Sequence, residues 1–281
     1  MVAALAAAPS AVAAGTAVTI ADSGTTTSRL TAELAAQALT AQGFTVTRAG
    51  HPSVLAADAA ARAGTVDAYT TDTGVLLERV LARPKERDDA RLPGLLASLL
   101  TPRGQAALAV APYDDAPRIA CTRASVRRNK LTGVLSLPKA ATNLTYAVTA
   151  RHVIRADGLA SLRAAFRRVI VSPGVGRFDL VARGRAHCVL SSGVEPRTAR
   201  LRVVTLRDRT RRLAGTPQHG VVVANQAYLA TAPATFGPTL DRVAALLTDN
   251  AVRGLADAVE LGGTDPVAAA QGFLRANGVI A

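Results

Sequence analysis

Gly64-Thr65-Val66-Asp67-Ala68-Tyr69-Thr70-Thr71-Asp72-Thr73-Gly74 closes a run of alternating strands and helices that opens near residue 17. Upstream of it, Val18 to Ile20 is a short β-branched strand. Leu30, Leu34 and Ala38 recur at helical spacing, which predicts a helix with Thr27 or Ser28 as N-cap and Gly43 as its stop. Phe44 to Thr47 alternates apolar and polar like a strand. Ser53 then caps a second helix bearing Val54, Leu55 and Ala59, which Gly64 ends. Such βαβ units build a parallel sheet, and in open α/β sheets ligands lie at the carboxyl ends of the strands. The Tyr69–Gly74 stretch, read as a loop after one such strand, is expected to face a cleft.

At 281 residues the chain holds one large domain or two lobes of ordinary size, and its 49% hydrophobic content fits a soluble globular protein. The formal net charge of +13 invites a nucleic-acid reading. Three features argue against it. Only Lys85, Lys130 and Lys139 are lysines, the arginines are spread from Arg29 to Arg275, and aromatics make up 3% with no Trp. That leaves few rings on which bases stack. One dense patch stands out: Arg197, Arg200, Arg202, Arg207, Arg209, Arg211 and Arg212. It reads as a solvated face, with a docking surface for an acidic partner as the alternative. Cys121 and Cys188 fall in predicted strands; sheet geometry seldom suits a bridge, so two buried thiols are expected, with an exported protein's disulfide as the alternative. His51, His152, His187 and His219 are too scattered for metal-ligand spacing. The first fourteen residues are Ala-rich, carry no charge and end in Ala11-Val12-Ala13 followed by Ala14, so residues 1–16 read as a truncated secretory signal segment or a disordered N-terminus. No cysteine stands there for a lipid anchor, and no membrane span is expected.

Order and spelling carry a more specific likeness. Ala36-Gln37-Ala38-Leu39, Gly43-Phe44-Thr45-Val46 and the quoted 64–74 stretch resemble successive motifs of the glycine betaine/choline substrate-binding proteins of ABC importers. Ala111-Pro112-Tyr113-Asp114-Asp115 resembles that family's hinge loop, and Arg155-Ala156-Asp157-Gly158-Leu159 its Arg-Pro-Asp-Gly-Leu. Thr264-Asp265-Pro266, Phe273-Leu274 and Asn277-Gly278 resemble its closing helix. The likeness runs from about residue 17 to the end. It implies an α/β, periplasmic binding protein-like (type II) fold: two lobes, two crossovers and a central cleft. Lobe 1 would be residues 17–110 plus 217–281, and lobe 2 residues 111–216. Ala111-Pro112 and Ala214-Gly215-Thr216-Pro217 mark the crossovers.

Strands are expected at Ile119–Thr122, Tyr146–Val148, Val169–Val171, His187–Leu190, Leu201–Leu206 and Val221–Val223. Helices are expected at Ala160–Arg168, near Asp179–Arg183, through Leu240, Val243 and Leu247, and from Asp265 with Pro266 at its first position. Residues 83–93 read as a charged, Pro-interrupted solvent loop.

The resemblance implies a solute-binding role with a permease and an ATPase as partners, no cofactor, and a cage of aromatic rings around a quaternary ammonium. Tyr69 and Tyr113 match two family aromatics. The second Tyr of the Tyr-x-x-Tyr loop is Asp72, and the first-loop aromatic is replaced at Thr25. Ser192-Gly193-Val194-Glu195 stands where the family has an aromatic-Ser-Thr-Asp turn. Candidate ligand-binding residues are therefore Thr25, Thr26, Tyr69, Asp72, Tyr113, Asp114, Arg155, Ser192 and Glu195. Thr25 and Thr26 would meet a ligand at a helix N-terminus. Asp72 and Glu195 would offer carboxylates to a cation, or else cap a helix and face solvent. Arg155 would hold a ligand carboxylate, and Tyr228 lies too far along the chain to join the cage. No Gly-x-Ser-x-Gly, phosphate-binding Gly-rich loop or His-Glu-x-x-His occurs, so catalysis is not expected. The rival to transport is an interaction protein working through the arginine patch.

Overall fold

The computed structural model describes residues 15–83, 86–150 and 165–281. Among the described residues ten strands divide into two five-stranded sheets. The first contains β1 (Ala17–Asp22), β2 (Thr45–Gly50), β3 (Ala68–Asp72), β4 (Gln105–Val110) and β10 (Gly220–Asn225), in the order β2-β1-β3-β10-β4. The second contains β5 (Arg118–Thr122), β6 (Tyr146–Val148), β7 (Val169–Val171), β8 (Cys188–Ser191) and β9 (Val203–Thr205), in the order β7-β6-β8-β5-β9. The two orders are one pattern used twice. In each sheet three strands run parallel, and the strand that arrives from a crossover lies antiparallel between the third and the last. This is the expected two-lobed α/β fold of the type II binding proteins.

Local chemistry explains the elements of the first lobe. Helix α1 (Thr26–Ala41) starts at Thr25, whose hydroxyl accepts the Ser28 amide; the cap therefore lies two residues before the predicted Thr27. Thr27 and Ser28 are buried in the first turn, where Ser28 Oγ donates to the Thr70 carbonyl instead of capping. Gly43 follows the helix with φ +86°, a conformation in which a side chain would be strained. Ser53 caps α2 (Val54–Arg62) as predicted, accepting from Ala56. On one sheet face Ile20, Leu39, Ala68 and Phe236 pack together, and on the other Ala21, Val54, Tyr69 and Leu96. Two helices, Asp249–Glu260 and Pro266–Ala276, pack on α1 through Val252, Leu255 and Leu274. Asp265 caps the second of these, as its sequence predicts.

Several expectations change. Leu92–Leu100 is a helix, so the predicted loop at 83–93 ends sooner, in a 3₁₀ turn at Asp89–Arg91. Buried Leu92, Leu96 and Leu100 give it the helical period that the charges beside it obscured. The predicted helix at Ala160–Arg168 and the first fourteen residues fall outside the described residues. Cys121 and Cys188 are a disulfide, not two thiols. They oppose each other directly across the antiparallel β5–β8 pair, at Cα positions 4.0 Å apart. Pairs at such non-hydrogen-bonded positions approach most closely. The register that brings them together is not visible in sequence.

Candidate binding cleft

The crossovers, residues 111–117 and 206–219, lie side by side and hydrogen-bond to each other. The Asp115 amide donates to the Gln218 carbonyl at 3.0 Å, and just beyond the second crossover the Gly220 carbonyl, the first of β10, accepts from the Ala111 amide at 2.8 Å. Asp114 ties the bundle. Its carboxylate accepts from the Gln218 amide at 3.0 Å and from Arg118 and Arg211 at 2.9 and 3.0 Å. Burial works against this carboxylate, but Arg211, Arg118 and the Gln218 amide outweigh it and hold its pKa at about 2. Asp114, a predicted ligand residue, is thus engaged as a hinge clamp.

Beside the clamp a cavity of about 190 Å³ lies between the lobes. Thr25, Thr27, Asp72 and Val75 line it from lobe 1; Asp115, Pro117 and Gln218 from the crossovers; Arg177, Ser191 and Ser192 from lobe 2. Asp72 ends β3 and precedes a short helical turn, Thr73–Val75, that its side chain does not cap. It instead accepts from the Tyr113 hydroxyl at 3.1 Å. Burial, and then the charge of Asp115, push the Asp72 carboxyl up to about 8, against the Tyr113 hydrogen bond. Asp115 accepts from the Val194 amide at 3.3 Å and from the Ser192 hydroxyl. Burial pushes it up to about 6, although those two bonds favour its ionised form.

The predicted residues thus separate. Thr25, Asp72 and Ser192 line the cavity together. Tyr113 is buried behind it, reaching it only through Asp72, and burial raises its pKa. Thr26, the first residue of α1, lies outside the lining. Tyr69 is the second residue of β3 and not part of a loop. Strand alternation turns it into the lobe 1 core, where its hydroxyl donates to Asp58 at 3.3 Å. Glu195 is neither solvated nor free for a cation: Arg177 and Arg197 bind it at 3.2 and 3.1 Å. Arg155 lies outside the described residues. Tyr228 stacks edge-on against Phe236, away from the cavity. Asp115, Arg177 and Gln218 were missed. Asp115 is the last residue of the hinge motif, directly after Asp114.

The arginine patch is not one solvated face either. Arg197 pairs with Glu260 at 2.9 Å, and Arg200 grips Asp257 with two bonds of 3.1 and 2.9 Å. Arg211 holds Asp114. Lobe 2 therefore meets the Asp249–Glu260 helix of lobe 1 through ion pairs, reinforced by Arg253 donating to the Gly193 carbonyl.

Two lobes of like topology joined by paired crossovers, with a cavity between them, are the architecture of the type II periplasmic binding proteins. The model of the family described as OpuAC, the substrate binding domain of the ABC-type glycine betaine transport system, matches residues 16–276. The chain belongs to that family, as the substrate-binding component of an ABC osmoprotectant transporter. Solved structures agree on the fold. A glycine betaine/carnitine/choline ABC transporter structure superposes with a TM-score of 0.82 at 16% identity, covering 93% of this chain and 99% of that one. Apo YehZ from Escherichia coli gives 0.76 at 18%, with the same coverage of 93% and 99%. Lactococcal OpuAC, closed on glycine betaine, gives 0.59 at 10% identity, covering 93% and 96%. No curated protein sequence matches the chain. The family binds quaternary amines, works with an ABC transporter and is typically extracytoplasmic; the disulfide is consistent with an oxidising compartment. Among the described residues no helix is long and apolar enough to cross a membrane.

Proposed function

We propose that this chain is the exported, solute-binding component of an ABC importer and that its ligand is a compact amine bearing N–H donors. Residues 17–110 with 217–281 close on 111–216 about the paired crossovers. One observation carries the ligand class. Four carboxylates flank the cleft: Asp114 and Glu195 each hold two arginines, whereas Asp72 and Asp115 have no cationic partner among the described residues. In a chain of net charge +13, that vacancy fits a ligand cation. A quaternary ammonium offers no N–H to these oxygens and needs ring faces, each contributing about 0.5–2 kcal/mol. No aromatic residue is among the described residues that line the cavity. A primary or secondary amine makes charge-assisted bonds to both carboxylates.

Calorimetry with glycine betaine, choline and carnitine against glycine, ethanolamine and other primary-amine analogues tests this. The amines with N–H donors are expected to bind at least tenfold more tightly. Asp72→Asn and Asp115→Asn should each weaken them by about 2 kcal/mol, as expected for a hydrogen bond to a charged group. Submicromolar glycine betaine binding that survives both substitutions would overturn the reading.

A further inference from the structure

Charge divides unevenly along the chain. Residues 111–216 hold 21 Lys and Arg against 6 Asp and Glu, whereas the remainder holds 12 against 14. The second lobe therefore carries a formal +15 and the first −2, so the whole excess of +13 belongs to lobe 2.

Sheet topology gathers much of that excess in one place. Ser191 ends β8 and lines the cavity, and β6 and β7 lie in the same parallel set. The amino ends of these strands mark the pole of lobe 2 opposite the cleft. β5 runs antiparallel to β8 and so ends at that pole, and β9, antiparallel to β5, begins there. What the sequence puts at these strand ends is basic. β5 runs into the helix Arg123–Arg128, which supplies Arg123, Arg127 and Arg128. Arg167 and Arg168 precede β7, Arg183 and Arg185 lead into β8, and Arg202 precedes β9. All eight are exposed, and none forms an ion pair among the described residues. The described carboxylates of this lobe stand elsewhere. Asp114, Asp115 and Glu195 are at the cleft, and Asp208 accepts backbone amides in the second crossover. Asp179 comes nearest, in the helix Gly176–Ala182 that leads to the pole.

Like charges gathered at one end repel one another, and an anionic surface relieves that repulsion. The character of the pole selects the kind of surface. None of the large exposed hydrophobic residues falls in these segments, whereas protein interfaces centre on apolar and aromatic anchors. The rings beside them, Phe166 and Phe178, pack into the core and leave no platform for a base. Lipid phosphates need neither anchor nor ring, only positive charge and the paired N–H groups of guanidinium.

We propose that the pole of lobe 2 opposite the cleft docks the protein on an anionic phospholipid bilayer, its arginines meeting headgroup phosphates. The cleft, at the other end of the same strands, stays open to solute. This inference goes beyond the solute reading and holds whichever solute the cleft takes.

Flotation of the full chain with vesicles tests it. Vesicles of phosphatidylcholine containing about 30% phosphatidylglycerol are expected to carry the protein, and pure phosphatidylcholine vesicles to leave it behind. Binding should fall at least tenfold between about 0.05 and 0.3 M salt as the screening length shortens. Arg123→Glu, Arg185→Glu and Arg202→Glu together, from three separate segments of the pole, should also weaken it at least tenfold. Arg79→Glu, Arg83→Glu and Arg87→Glu together make the same change in net charge at exposed positions of lobe 1, and should cost less than twofold. Equal losses in the two triple variants would reduce the effect to net charge and overturn the docking pole. Neutral vesicles binding as tightly as anionic ones would overturn it too. The vesicle and salt arms use the unaltered chain, so they decide the question even where a variant fails to fold. No binding to anionic vesicles at low salt would overturn the proposal outright. Salt-sensitive binding to poly-glutamate or double-stranded DNA in that case would assign the pole to an acidic macromolecule.

Discussion

The two lobes share one strand order and hold it by different means. In the first, strands of five or six residues lie under helices of 9 to 16 residues, and the core is continuous apolar surface on both sheet faces. In the second, three of the five strands have three residues, and the described helices have at most seven. Short elements bury less surface and nucleate poorly. Cross-links supplement its core: the Cys121–Cys188 bridge joins β5 to β8, and ion pairs tie residues 195–200 to the neighbouring lobe. Both lobes bury apolar cores, and to a core built on shorter elements the second adds a covalent bridge and ion pairs to its neighbour. Specific bonds respond to reductant, pH and salt, so the two lobes should respond differently to each.

The largest difference should come from the disulfide. Its sequence separation of 67 residues corresponds, in the loop-entropy account, to about 4 kcal/mol. Reduction, or Cys121→Ala with Cys188→Ala, should unfold lobe 2 at lower denaturant while lobe 1 amides keep their protection. Hydrogen exchange resolved by segment reads this directly. Equal loss in both lobes would remove the contrast.

A second difference, of a few degrees in Tm, is expected with pH at the crossovers. Asp114 has a depressed pKa, so its contribution is present above the ordinary carboxylate range and lost as pH falls toward 2. Asp72 and Asp115 have raised values and bind protons in the folded state that the unfolded chain has released. Their contribution favours folding at acidic pH and fades as pH rises through about 6 and about 8. The empty protein should therefore be most stable in mildly acidic solution. Thermal unfolding between pH 3 and 9 checks this, and Asp72→Asn should flatten the alkaline limb.

The smallest effect belongs to the lobe junction. Arg200 and Asp257 are substantially exposed, so Arg200→Gln should cost at most about 1 kcal/mol. Its sharper readout is the balance between open and closed forms by small-angle scattering, which should shift toward open and lose part of its salt dependence.

What was legible in the sequence is what neighbouring residues decide. Ser53 and Asp265 as caps, Gly43 and Gly64 as stops, and β6 and β7 to the residue all follow from local patterns. Tyr69 shows the limit. One residue of uncertainty in where β3 begins separates a cleft aromatic from a core one, because strand side chains alternate. The site itself is made of partners far apart along the chain: Tyr113 meets Asp72 across 41 residues, and Val194 meets Asp115 across 79. No spacing rule reaches that far. The same distance hid the roles of the arginines, since Arg197 finds Glu260 across 63 residues.

Arg177, Glu195, Arg197 and Glu260 form a line of alternating charges from the cleft wall to the outer helix. Such a line constrains how the protein can diverge. Losing any inner member strands a charge beside a like neighbour, so a tolerated change at one position calls for a matching change at the next. Turn 195–200 and the Asp249–Glu260 helix must drift in step, while the cleft-facing Ser191 lies outside the line.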